Sequence, residues 1–243
     1  MNRVLLLGGT TEAAHMARAL ADGGVEAVYS YAGRTESPVV QPLPQRVGGF
    51  GGVAGLADYL RAEGITHLID ATHPFAAQIS RNAVEACRTT GVRLIALERA
   101  AWRARDGDRW THVPDLPAAV AALGEAPRRV FLAIGRQRLD VFAAAPQHHY
   151  LLRLVDPPTE PLPLPQAEAV IARGPFTTEG DRALLQDHRI EVIVAKNSGG
   201  VGAEAKLVAA RELGVPVILI DRPIVSDRRV ARTVVEVMAW LTG

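Results

Sequence analysis

One cysteine, Cys87, stands in 243 residues, so no disulfide can form within the chain and a cysteine-based zinc site is excluded. Lysine is almost as scarce, with only Lys196 and Lys206 among 27 basic residues. Aromatic residues make up 5% of the chain. The formal net charge is +1, too small a field to attract nucleic acid or an anionic membrane. No apolar run approaches the roughly 20 residues that span a bilayer. Met1 leads directly into a strand-like run, with no basic stretch and no small-residue cleavage site of a secretory signal. The expectation is a cytoplasmic protein with no membrane or nucleic-acid partner.

What is present is a hydrophobic share of 48%, arranged as short aliphatic runs alternating with helix-like stretches. Runs at 4–7, 27–31, 67–70, 93–97, 130–134, 150–155, 192–195 and 217–220 have strand length and are bounded by Gly or Pro. Their nearly continuous hydrophobicity predicts parallel strands covered on both faces. Amphipathic helices are predicted over 13–20, 56–61, 75–87 and 203–211, giving the βαβ rhythm of doubly wound sheets. The glycines at 48–52 close a third strand.

The two halves are alike. Arg3–Leu7 with Gly8 matches Arg129–Ile134 with Gly135; the pairs Ile65/Ile190 and Gly91/Gly214 open further similar runs at the same offset. An offset of about 125 residues fits two domains of ordinary size. The fold class is therefore α/β, with two Rossmann-like domains of mainly parallel sheet and a substrate cleft between them. Residues 1–125 form the cofactor domain and 126–243 the substrate domain, joined at Leu123-Gly124-Glu125-Ala126-Pro127. The Pro-rich stretch from 157 to 165 reads as a long connection.

Candidate chemistry gathers at the carboxyl ends of the strands, where open α/β sheets bind ligands. Gly8-Gly9-Thr10-Thr11-Glu12 is a turn entering a helix, suited to a phosphate, although the full G-x-G-x-x-G spacing is absent. After the second strand stand Gly33, Arg34 and Thr35. A guanidinium there favours the 2′-phosphate of NADP over NAD. Asp70-Ala71-Thr72-His73-Pro74-Phe75 ends another strand; Asp70 reads as a buried hydrogen-bonding residue. Ala71, Thr72, His73 and Phe75 read as cofactor contacts, with helix capping the alternative for His73. In the second half, Lys196-Asn197-Ser198-Gly199-Gly200 forms a glycine-rich anion nest. Gly135, Arg136 and Arg222 end neighbouring strands there, and Arg99 ends one in the first half. These residues are assigned to an anionic substrate. The seven histidines show no metal-ligand spacing, and no metal site is assigned. The three tryptophans read as packing residues.

Together these segments resemble the precorrin-6A reductase family of cobalamin biosynthesis. The resemblance rests on Gly8-Gly9-Thr10-Thr11-Glu12, the segment from Asp70 to Ala76, Gly174-Pro175-Phe176, Lys196-Asn197-Ser198-Gly199-Gly200, and Gly214 through Pro223. It implies NADPH as cofactor on the first domain and precorrin-6A, a carboxylate-rich tetrapyrrole, as substrate. One double bond would be reduced to give precorrin-6B, with channelling to neighbouring pathway enzymes a further expectation. If a side chain supplies the proton, His73 or Lys196 is the catalytic candidate. Two other readings stay open: an NADP-linked reductase of another anionic substrate, and a non-catalytic dinucleotide sensor.

Overall fold

The computed structural model describes residues 2–32 and 39–243. The chain folds into two compact units, Met1–Ala100 with Pro223–Gly243, and Ala101–Arg222.

The first unit contains β1 (Arg3–Leu7), α1 (Thr11–Asp22), β2 (Glu26–Tyr31), β3 (Gln45–Val47) and α2 (Gly52–Ala62). It continues with β4 (His67–Asp70), α3 (Ala77–Thr90), β5 (Arg93–Leu97), and, from the end of the chain, β12 (Arg229–Ala231) and α7 (Val234–Thr242). The strands form one sheet in the order β12-β5-β4-β1-β2-β3, parallel at every pairing. Successive β1 side chains point to opposite faces, and both faces are covered. Val4 and Leu6 pack with α1 and α7, while Leu5 and Leu7 pack with α2 and α3. Each fully buried leucine contributes about 1.5–3 kcal/mol, which is why β1 has no polar alternation.

The second unit contains β6 (Trp110–Val113), α4 (Leu116–Leu123), β7 (Arg129–Ala133), β8 (His149–Leu154) and β9 (Ala167–Ile171). α5 (Thr178–Asp187), β10 (Val192–Lys196), α6 (Ala205–Leu213) and β11 (Val217–Ile220) complete it. Its sheet runs β6-β11-β10-β7-β8-β9, again parallel throughout. Phe131, Leu151, Ile193 and Leu219 meet Leu185 of α5 and Leu207 and Ala210 of α6. On the other face lie Val130, Leu132, Tyr150 and Leu152, all buried, with α4 packed against β11.

The eight predicted strands are all present, and three of them (His67–Asp70, Arg93–Leu97 and Val217–Ile220) begin and end where expected. The internal repeat extends to topology: the two sheets correspond strand for strand, with β7 in the place of β1 and β10 in that of β4. The predicted helix from 75 begins instead at Ala77, because Pro74 and Phe75 lie in a turn in which Ala76 N–H bonds His73 O. The division into units also departs from the expected 1–125 and 126–243. β6, which follows β5 in the chain, pairs with β11, and β12, which follows β11, pairs with β5. Gly124 ends α4 rather than a domain. Hydrogen-bonded register, not the run of helix breakers, sets the boundaries.

Candidate active site

In the first unit the expected residues meet at the carboxyl ends of β1, β4 and β5, which are neighbours in the sheet. The β1 turn owes its first glycine to packing. A Cβ on Gly8 would lie 2.1 Å from the Tyr29 ring. The Tyr29 hydroxyl accepts the Gly9 N–H at 2.9 Å, and burial holds that phenol above its ordinary pKa, so it stays neutral. Gly9 takes φ +110, a conformation that suits glycine. Thr10 caps α1: its hydroxyl accepts from Ala13 N–H at 3.1 Å and donates to Ala71 O at 2.8 Å. That hydroxyl is therefore committed, and the anion-holding capacity of the turn rests on the first-turn N–H groups of α1, with Thr11 exposed beside them. Glu12 also stands in that turn, where its charge opposes a phosphate, but Arg99 pairs with it at 2.7 Å. Arg99, expected on the substrate, lies against the β1 turn.

The β4 end is built around Asp70, which is 2% exposed. Asp70 Oδ1 accepts from the Thr72 hydroxyl at 2.7 Å and from Thr72 N–H at 3.2 Å. Its Oδ2 accepts from Arg228 Nη1 at 2.6 Å, and the other arm of Arg228 pairs with Glu98. His73 Nδ1 accepts Phe75 N–H at 3.2 Å, so the ring closes the turn after β4; it does not cap α3, whose N-cap is Ala76 with no side-chain cap bond. Gly33, Arg34 and Thr35 lie outside the described residues.

In the second unit the expected residues meet at the carboxyl ends of β7, β10 and β11, also neighbours. Not all are placed to touch a ligand. The Asn197 amide is spent on Trp102, accepting its N–H at 2.8 Å and donating to its carbonyl at 3.2 Å. Arg222 binds two loop carbonyls, Asn197 O through Nε at 2.8 Å and Ser198 O through Nη2 at 2.9 Å. Both hold the loop in shape. Gly199 and Gly200 have positive φ, and Gly135 does after β7, with Arg136 exposed beside it. Lys196 ends β10, half-buried.

Several participants gave no sequence signal, because their partners are distant in the chain. Trp102 packs in the second core, as expected, but its indole N–H also bonds Gly200 O at 2.9 Å, 98 residues away. His112 Nδ1 lies 2.7 Å from Asp221 Oδ1 at the ends of β6 and β11. Arg153, inside β8, pairs with Asp181 of α5, its guanidinium 4.0 Å from the Phe176 ring centre. Cys87 is buried and its thiol is pushed up to about 12, which leaves it unreactive. No helix among the described residues is long and apolar enough to cross a membrane.

A parallel sheet of this order, with a glycine turn opening a capped helix at the end of its first strand, defines a Rossmann-like α/β protein. Comparison with known proteins narrows the class. The profile of the family Precorrin-6x reductase CbiJ/CobK matches residues 3–242. A precorrin-6A reductase of Rhodobacter capsulatus is 69% identical over 241 residues, covering 99% of this chain and 96% of its own. A cobalt-precorrin-6A reductase of Priestia megaterium is 31% identical over 251 residues, covering 99% and 98%. The solved structure of a CobK precorrin-6A reductase superposes with a TM-score of 0.95 at 69% identity, over 100% of this chain and 96% of that one. The chain belongs to the precorrin-6x reductase CbiJ/CobK family and is an oxidoreductase.

Proposed function

We propose that the protein reduces one double bond of precorrin-6A at the expense of NADPH, giving precorrin-6B, in the cytoplasm. The observation that carries this reading is the 69% identity to a precorrin-6A reductase along 99% of the chain. The metal-free macrocycle is the preferred substrate, since relatives named for the cobalt form are 28%, 31% and 33% identical, against 48%, 54% and 69% for relatives named for precorrin-6A.

The residues of the first unit fit a dinucleotide. The first turn of α1 offers N–H groups to the pyrophosphate, Arg99 neutralises Glu12 beneath it, and Gly9 leaves space where a side chain would stand. Gly33, Arg34 and Thr35 take the 2′-phosphate, and Thr72, His73 and Phe75 line the carboxyl end of β4, while Ala71, expected among them, is fully buried. When bound, NADPH supplies the hydride. The protein supplies position and electrostatics. Lys196, Ser198, Gly199, Gly200, Gly135 and Arg136 hold substrate carboxylates, while Asn197 and Arg222 keep that loop in register. Charge-assisted hydrogen bonds of about 1.5–3 kcal/mol each orient the ring. The proton that completes the reduction comes from His73, Lys196 or solvent.

The deciding experiment follows nicotinamide absorbance with precorrin-6A and NADPH, with NADH and cobalt-precorrin-6A as parallel arms. Tetrapyrrole-dependent loss with NADPH is expected. Binding without consumption on either macrocycle would favour a dinucleotide sensor. Arg34→Ala should weaken NADPH far more than NADH; equal losses would remove the 2′-phosphate assignment. Full turnover by both His73→Ala and Lys196→Ala would leave solvent as the proton source.

A further inference from the structure

A threonine hydroxyl has one proton, and at Thr72 that proton is already placed. It points at Asp70 Oδ1, 2.7 Å away, and the same oxygen accepts the Thr72 N–H. A carboxylate oxygen only accepts, so the direction of this bond is fixed. Arg228 pairs with the other carboxylate oxygen. Its guanidinium is 2.6 Å from Asp70 Oδ2, both side chains are nearly buried (7% and 1% exposed), and Glu98 occupies the other arm. Burial excludes the water that could otherwise compete for the carboxylate.

We infer that Arg228 and Asp70 set the polarity of Thr72, which presents only acceptor lone pairs and so binds an N–H or O–H donor of the nicotinamide cofactor. This rests on the cofactor reading above and deepens it. Thr72 is half-buried at the end of β4, between the β1 turn and β5, and can be reached from the ligand edge. Thr10, across the turn, has its hydroxyl committed to Ala71 O and Ala13 N–H, so it does not share the task. The inference excludes as well as assigns. Phosphate and carboxylate oxygens are acceptors, and Thr72 binds neither of them. Three donors of the cofactor have the required chemistry, the nicotinamide carboxamide N–H, the ribose hydroxyls and the adenine amino group. Arg228 is a positioning residue here. It enters from the segment before β12, 158 residues beyond Asp70, so the first unit's site is finished only when the chain has returned from β11.

The test is calorimetric titration of the full-length protein with NADPH and with its 3-acetylpyridine analogue, which lacks the amide donor. Thr72→Val should weaken NADPH about two- to tenfold, the range of one neutral hydrogen bond, and Thr72→Ser should restore it. Asp70→Asn should weaken it similarly, because Arg228 draws the amide oxygen and the amide N–H then reverses the Thr72 hydroxyl. If the carboxamide is the donor, the analogue binds the unsubstituted protein more weakly and Thr72→Val costs nothing further. If a ribose hydroxyl or the adenine amino group is the donor, Thr72→Val weakens both ligands alike. Unchanged NADPH affinity in a folded Thr72→Val protein overturns the inference alone. Absence of NADPH binding to the unsubstituted protein overturns the cofactor reading with it.

Discussion

Replacing Gly8 by alanine tests whether the β1 turn is shaped by packing from below or by a ligand from above. The new methyl would lie 2.1–2.3 Å from two ring carbons and the hydroxyl oxygen of Tyr29, against an ordinary contact of 3.4 Å or more. The ring must therefore retreat by at least 1.3 Å, the difference between 3.4 and 2.1 Å. Tyr29 is 1% exposed within the cluster of α1 and α7, so it has no open space to enter. Such overpacking costs about 1–3 kcal/mol. Retreat also breaks the 2.9 Å bond from Gly9 N–H, adding about 0.5–1.5 kcal/mol, since Gly9 is exposed and water can replace the phenol. Together the loss is about 1.5–4.5 kcal/mol, a sizeable part of the roughly 5–15 kcal/mol that holds a domain folded. The assay is urea unfolding of Gly8→Ala in two backgrounds, the natural one and Tyr29→Leu. The clash predicts that the cost of Gly8→Ala falls below about 1 kcal/mol once the ring is gone. An equal cost in both backgrounds would refute the packing explanation. Gly9→Ala serves as control: nothing lies within 4 Å of its Cβ, and any cost comes from φ +110 alone.

Two further predictions concern stability. Burial lowers the pKa of His67, with the Arg93 charge assisting, and burial likewise lowers that of His148. Below about pH 6.5 the unfolded chain therefore takes up protons that the folded chain refuses, so this stability is complete above that pH and is lost as pH falls. Urea midpoints should drop from about pH 7 to about pH 5, and His67→Asn with His148→Asn should flatten the slope; an unaltered slope would exonerate both rings. Breaking the buried Arg153–Asp181 pair by Asp181→Asn should cost about 3–5 kcal/mol in the same assay, because it leaves a guanidinium without its counter-charge. A loss under about 1 kcal/mol would mean that the neighbouring Phe176 and Phe131 rings suffice to hold Arg153.

The sequence by itself determined the class of fold and the strand edge at which the candidate residues gather. A run such as Val4-Leu5-Leu6-Leu7 can be buried on both faces only within a covered parallel sheet, and glycines placed directly after such runs mark the ligand edge. The repeat at about 125 residues foretold two matching sheets, and the distinctive segments at 70–76 and 196–200 carried the family. Tertiary structure decided what the individual residues do there. Gly8 is required by a tyrosine 21 positions on, Asn197 and Arg222 shape a loop, Arg99 answers Glu12, and Arg228 reaches back to Asp70. Each of these depends on a partner remote in sequence, and local periodicity contains no information about such pairs. The unit boundaries were hidden for the same reason. Pairing of β6 with β11 and of β12 with β5 is a matter of which backbone edges remain open when the sheets form, and short strands of similar composition look alike until their hydrogen-bonded neighbours are known.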